Sequence, residues 1–312
     1  MVSRPIAAWA MVLGLFLGTV GVPRVRAEVF DAAIKPVGSD NFLLAEFRCY
    51  LPPAVDPVRG VAVLVPAYNE DGRNLAADPA WTTFADKNQV ALLACHFQGD
   101  AGHDYSNARR GSGQALVRVL RDLSVQTRRR ELGNANFMLW GVSSGAQFAA
   151  TMAMEKPDRT LGFVAVLGAY WLSADAQARK VPGLFISSRD QADGAVDRTR
   201  KHFTDSRTLG ANWAYFETGS STEALEGMQS YGQDFISGSM AARQRAESAP
   251  GSNLQTLSQK DCWVVPHDRE AGSPIPSVEL PRNALPQSSS FPSRELGEKW
   301  IVLKNTRWAT GP

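Results

Sequence analysis

A chain of 312 residues, 44% hydrophobic and 21% charged, carries enough apolar material for one large core plus an appendage. That balance excludes an intrinsically disordered chain and a membrane-embedded one. The 33 basic and 31 acidic residues include no basic run longer than Arg128-Arg129-Arg130, so nucleic-acid binding has no electrostatic support.

The N-terminus changes the compartment. Arg4 sits in a short head segment, residues 6–22 are almost wholly apolar, and Val25-Arg26-Ala27 places small residues where signal peptidase reads them. A signal peptide over residues 1–27 is therefore expected, cleaved after Ala27. The alternative is a membrane anchor, but about 17 apolar residues with several glycines is short for a span. Cleavage would remove Arg4, Arg24 and Arg26 and no acid, taking the basic residues from 33 to 30 against 31 acidic. The mature chain is thus expected to be near neutral, secreted or periplasmic, with no stable membrane span.

From residue 40 the chain alternates strand and helix signals, which predicts an α/β layer architecture over residues 28–245. Strands are expected over 42–51, 61–65, 90–95, 136–140, 161–167, 183–187 and 211–216. Asp78 caps and Pro79 opens a first helix. Leu116, Val119, Leu120 and Leu123 mark a second helix within 111–128. Further helices are expected over 146–154 and 197–209 and from Glu223 onward. Residues 246–312 form a Pro- and Ser-rich extension holding eight of the 18 prolines and the run Ser288-Ser289-Ser290. Its Leu296, Trp300 and Leu303, at i, i+4 and i+7, are expected to dock on the body. Cys49, Cys95 and Cys262 fit neither a disulfide framework nor a zinc site, although one bridge is open in an oxidising compartment. No metal or cofactor is expected.

The chemistry centres on Gly141-Val142-Ser143-Ser144-Gly145, a G-x-S-x-G sequence between the strand signal Phe137-Met138-Leu139-Trp140 and an alanine-rich helix. That context is what the motif requires, because the serine must sit on a sharp strand-to-helix turn with its hydroxyl above the sheet edge. Ser143 is the candidate nucleophile. An oxyanion hole needs two backbone N–H groups, expected from Ser144 and from Tyr68 in the loop 66–72. The acid should lie past a later strand, which points to Asp190, with Asp193 as runner-up.

The stretch from Val61 to about Phe235 resembles the α/β-hydrolases, in the branch of secreted esterases and polyester depolymerases. The matching pieces are Pro66 to Arg73, Trp81 with Phe84-Ala85, Gly111 to Leu116, Leu139 to Gly145, Val181-Pro182-Gly183, and Trp213-Ala214 to Glu217. The resemblance implies a mostly parallel sheet with helices on both faces, Ser143 as nucleophile, Asp190 as triad acid and an ester substrate, small or polymeric. It also exposes a departure. Such proteins carry the catalytic histidine soon after the last strand, and here Glu217-Thr218-Gly219-Ser220-Ser221-Thr222-Glu223 places Thr222 in that position, with Val142 where histidine often precedes the serine. Threonine does not accept a proton at neutral pH.

The chain has four histidines. His103, in the loop after the strand 90–95, is the best surrogate base, because that loop is on the expected active-site edge. His96 closes the strand, His202 is expected on a solvated helix surface, and His267 belongs to the extension. Gly111-Ser112-Gly113 lacks the lysine and spacing of a phosphate loop and reads as a helix start. Two readings stay open: a serine hydrolase of low activity, and a pseudohydrolase that binds a ligand or partner.

Overall fold

The computed structural model describes residues 27–53, 55–192, 194–267 and 272–306. The expected signal peptide, apart from Ala27, and the runner-up acid Asp193 lie outside the described residues. The chain enters through β1 (Glu28–Ala33), which pairs antiparallel with β2 (Leu44–Leu51). No apolar run announces β1, because its side chains are mostly exposed along the sheet edge.

The apolar runs that follow become strands buried on both faces: β3 (Val61–Val65), β4 (Ala91–Gln98), β5 (Phe137–Val142), β6 (Thr160–Val166), β7 (Gly183–Ser188) and β8 (Trp213–Thr218). They form one eight-stranded sheet in the order β1-β2-β4-β3-β5-β6-β7-β8. β1 and β2 run antiparallel to their neighbours and every pair from β4 to β8 is parallel.

Alternation along the strands divides the core in two. Val61, Val63 and Val65 face one hydrophobic cluster and Ala62 and Leu64 the other. Helices α1 (Pro79–Asn88), α2 (Ser112–Gln126), α3 (Ser144–Glu155), α4 (Ala195–Thr208) and α5 (Gln229–Arg243) cover both faces. α2 and α3 pack on the first cluster, α1 and α5 on the second. The Asp78 carboxylate caps α1 by accepting from the amides of Ala80 (2.9 Å) and Trp81 (3.0 Å), as the Asp-Pro pair predicts.

Beyond α5 the chain forms a second, three-stranded sheet from β9 (Trp263–Pro266), β10 (Ile275–Pro276) and β11 (Ser288–Phe291), then α6 (Arg294–Asn305), joined by irregular and 3-10 segments. Leu296 and Trp300 of α6 are buried in the second cluster. The serine run is no linker: Ser288, Ser289 and Ser290 are fully buried. The Ser289 hydroxyl accepts from the Tyr215 amide of β8 at 3.0 Å, and the Trp300 indole donates to the Tyr215 carbonyl at 3.0 Å. All three cysteines are free and buried. Among the described residues no helix is long and apolar enough to cross a membrane.

Candidate active site

The parallel strands all end at one sheet edge, and the loops leaving that edge carry the candidate residues. Ser143 stands between β5 and α3 with φ 54° and ψ −113°, a backbone conformation that side-chain-bearing residues avoid. Holding it there costs about 1–3 kcal/mol, which the surrounding packing must over-determine. Two features do so. The Ser143 amide donates to the Val166 carbonyl at the end of β6 (2.8 Å). The glycines let the helix start collapse onto the sheet: a Cβ at Gly141 would lie 1.9 Å from the Gly145 carbonyl oxygen, and one at Gly145 would lie 2.2 Å from that of Val65.

This close approach sets the end of β3 beside the start of α3. The loop from Pro66 therefore leaves next to the serine, as the pairing of Val65 with Gly141 requires. The loop is rigid for a reason the motif did not reveal. Asn69, itself at φ 58°, has its amide bound to the Tyr105 hydroxyl (3.0 Å), and its side chain bridges the amide and carbonyl of Gly99. Phe97, Tyr105 and Tyr68 stack in a column at 5.4 and 5.8 Å. Among the described residues the Tyr68 amide has no hydrogen-bond acceptor, and the Ser144 amide belongs to the unpaired first turn of α3. Two donors thus stay available, one in the loop after β3 and one at the start of α3.

Asp190 follows β7, two strand spacings from β5 or about 10 Å. Its carboxylate is occupied. It accepts from the Ser188 hydroxyl (2.5 Å), the Ser221 hydroxyl (2.6 Å) and the Ser221 amide (2.9 Å). The Ser188 hydroxyl first, then the Ser221 donors, hold its carboxyl down to about 2. Thr222 lies exposed at the start of the turn that follows β8, beside the residue gripping Asp190.

No imidazole joins this group. Among the described residues the Ser143 hydroxyl has no hydrogen-bond partner, and no histidine touches Asp190. His103 is half-buried, its Nδ1 2.8 Å from Asp100. His96 lies between Glu46 (3.1 Å) and Gln98 (3.2 Å) on the far strands. His267 meets the Ser289 hydroxyl at 2.9 Å and stacks on Phe203 and Trp300. His202 corrects an expectation: it is not on a solvated surface but packed among Trp171, Phe185 and Trp213, where burial lowers its pKa to about 4. Trp171, Phe185, His202 and Trp213 are too far apart in the chain to give a periodic signal of this aromatic box, which is assembled across β7, α4, β8 and a loop.

The strand order, β2 running antiparallel to both its neighbours, and a serine at positive φ between a central strand and its helix decide the architecture. The fold is that of the α/β-hydrolases. A ferulic acid esterase of known structure superposes on it with a TM-score of 0.51 at 11% identity, over 68% of this chain and 98% of that one. A thermostable esterase gives 0.49 at 15% identity over 67% of this chain, which spans 59% of that protein. FphF, a fluorophosphonate-binding serine hydrolase of Staphylococcus aureus, gives 0.47 at 9% identity over 68% and 98%. At these identities the likeness is one of hydrolase fold. No protein-family model and no curated protein matches the chain by sequence.

Proposed function

We propose that the mature chain is a secreted or periplasmic ester hydrolase that reacts through Ser143 and turns over slowly. The observation that carries this reading is Ser143 itself, held at φ 54° with the unengaged amides of Ser144, at the start of α3, and Tyr68, in the loop after β3. In the reaction the Ser143 oxygen attacks the ester carbonyl carbon, and the Ser144 and Tyr68 amides bind the oxyanion. The alcohol then leaves, and water cleaves the acyl-serine. With His103 held by Asp100 and Asp190 held by serines, the Ser143 proton passes to water rather than to imidazole. Loss of a triad base typically lowers kcat by about 10⁴–10⁶ and leaves about 10³-fold over water.

A second reading has its own support. The capped Asp190 and Thr222 favour a pseudohydrolase in which the site binds but does not react. One assay separates the two. The chain from Glu28 and its Ser143→Ala variant are compared on p-nitrophenyl acetate and butyrate. The hydrolase reading expects a slow rate that the substitution removes; equal rates leave only the binding role.

A further inference from the structure

A cavity of about 500 Å³ opens beside the elbow, between α3, α4 and the segment that follows β6. It starts one helical turn from the nucleophile: Gln147, on its wall, donates its amide to the Ser143 carbonyl at 3.3 Å. The opposite wall, residues 169–173, continues from the strand whose Val166 carbonyl receives the Ser143 amide. That wall is fastened in place. The Trp171 indole donates to the Thr199 hydroxyl (2.9 Å), which bonds the Gly168 carbonyl (3.1 Å), and Trp171 stacks on His202. The space is preformed, and its volume lies within the range of small-ligand sites.

Its charges cancel. Arg198 and Lys201 of α4 face the space together with Asp205 and Asp104. Lys201 pairs with Asp205 at 2.8 Å, and Arg198 lies 4.9 Å over the Tyr170 ring and donates to the Ala169 carbonyl. Burial keeps His202 neutral at physiological pH. An anion entering here would meet two carboxylates, and a cation would meet two fixed positive groups. An alkyl chain would strip water from charged and amide groups without replacing their hydrogen bonds. Among the described residues the Gln147 side-chain amide has no hydrogen-bond partner, so it offers donors and an acceptor to a ligand. The rings of Tyr170 and Trp171 add apolar faces. A neutral molecule with many hydroxyls and flat C–H faces satisfies all of these groups together.

We propose that this cavity binds a saccharide unit, so that the ester presented to Ser143 is one carried on a sugar. The second clause rests on the hydrolase reading; the first stands without it. The test is titration of the full Ser143→Ala chain with cellobiose, xylobiose and maltose, followed by calorimetry and saturation-transfer NMR, with sodium butyrate as the anionic comparator. At least one disaccharide is expected to bind saturably, weakened fivefold or more by Gln147→Ala and by the isosteric Asp104→Asn, while butyrate does not bind. The circular dichroism of each variant confirms folding before its affinity is read. No saturable binding of any of the three sugars, binding indifferent to both substitutions, or a preference for butyrate overturns the proposal. Ser143-dependent cleavage of p-nitrophenyl acetate without sugar binding sinks this inference alone; sugar binding without that cleavage sinks the hydrolase reading alone.

Discussion

At Asp190, the acid of the proposed hydrolase, the carboxylate is already fully engaged. Its Oδ1 takes two serine hydroxyls and its Oδ2 a backbone amide, so an imidazole placed nearby finds the carboxylate already engaged. Thr222→His alone is therefore expected to raise Ser143-dependent hydrolysis less than about tenfold. The pair Ser221→Gly with Thr222→His, which frees one hydroxyl contact, is expected to gain about 100-fold or more, the usual contribution of a positioned base. Measured as kcat/KM on p-nitrophenyl acetate, equal gains from the single and double variants would show that Ser221 does not block the acid. His202 carries the residue-scale pH dependence. Burial is the main cause of its shift from 6.5 down to about 4, so below pH 6.5 the unfolded chain binds a proton that the folded chain refuses. Stability is then complete above pH 6.5 and falls as the pH drops toward 4, by about 2 kcal/mol at pH 5. Urea unfolding at pH 7 and pH 5 should show a smaller difference for His202→Phe than for the parent chain.

At the scale of elements, the contact between α3 and β3 fixes the turn. Gly145→Ala would place a methyl 2.2 Å from the Val65 carbonyl oxygen and 2.5 Å from that of Pro66, both backbone atoms that cannot swing aside. A loss of about 1–3 kcal/mol is expected from such overpacking, together with loss of any Ser143-dependent rate. An unchanged urea midpoint would mean that the helix start is free to move. The same elements show which parts of the fold a sequence discloses. β3 to β8 are buried on both faces, which forces continuous apolar runs that are readable in one dimension. β1 lies on an exposed edge and carries no such run. β11 is buried through hydroxyl hydrogen bonds rather than apolar surface, so its serines resemble a linker in the sequence. Ser143 and Ser144 were visible because their geometry is local to one turn. The grip of Ser188 and Ser221 on Asp190 was not, since it depends on the register that sets Ser188 opposite Thr218 in β7 and β8.

Over the whole molecule, the C-terminal sheet is bolted to the body by a buried cation. Arg207, at the end of α4, is fully buried and donates to the Ser288 carbonyl (2.8 Å), the Ser288 hydroxyl (2.9 Å) and the Ala211 carbonyl. Desolvation brings its pKa down to about 10, which still leaves it charged at neutral pH. Arg207→Met would strand those acceptors without water, at a cost of about 3 kcal/mol. Limited proteolysis should then release the residues beyond 246 before the rest of the chain, and identical digestion of both proteins would contradict this. The attachment has a topological effect as well. Because the hydroxyl of Ser289 and the indole of Trp300 consume the outward-facing peptide groups of Tyr215, that flank of the main sheet offers no template to a foreign strand. A second strand pairing at Tyr215 would first have to displace the tail.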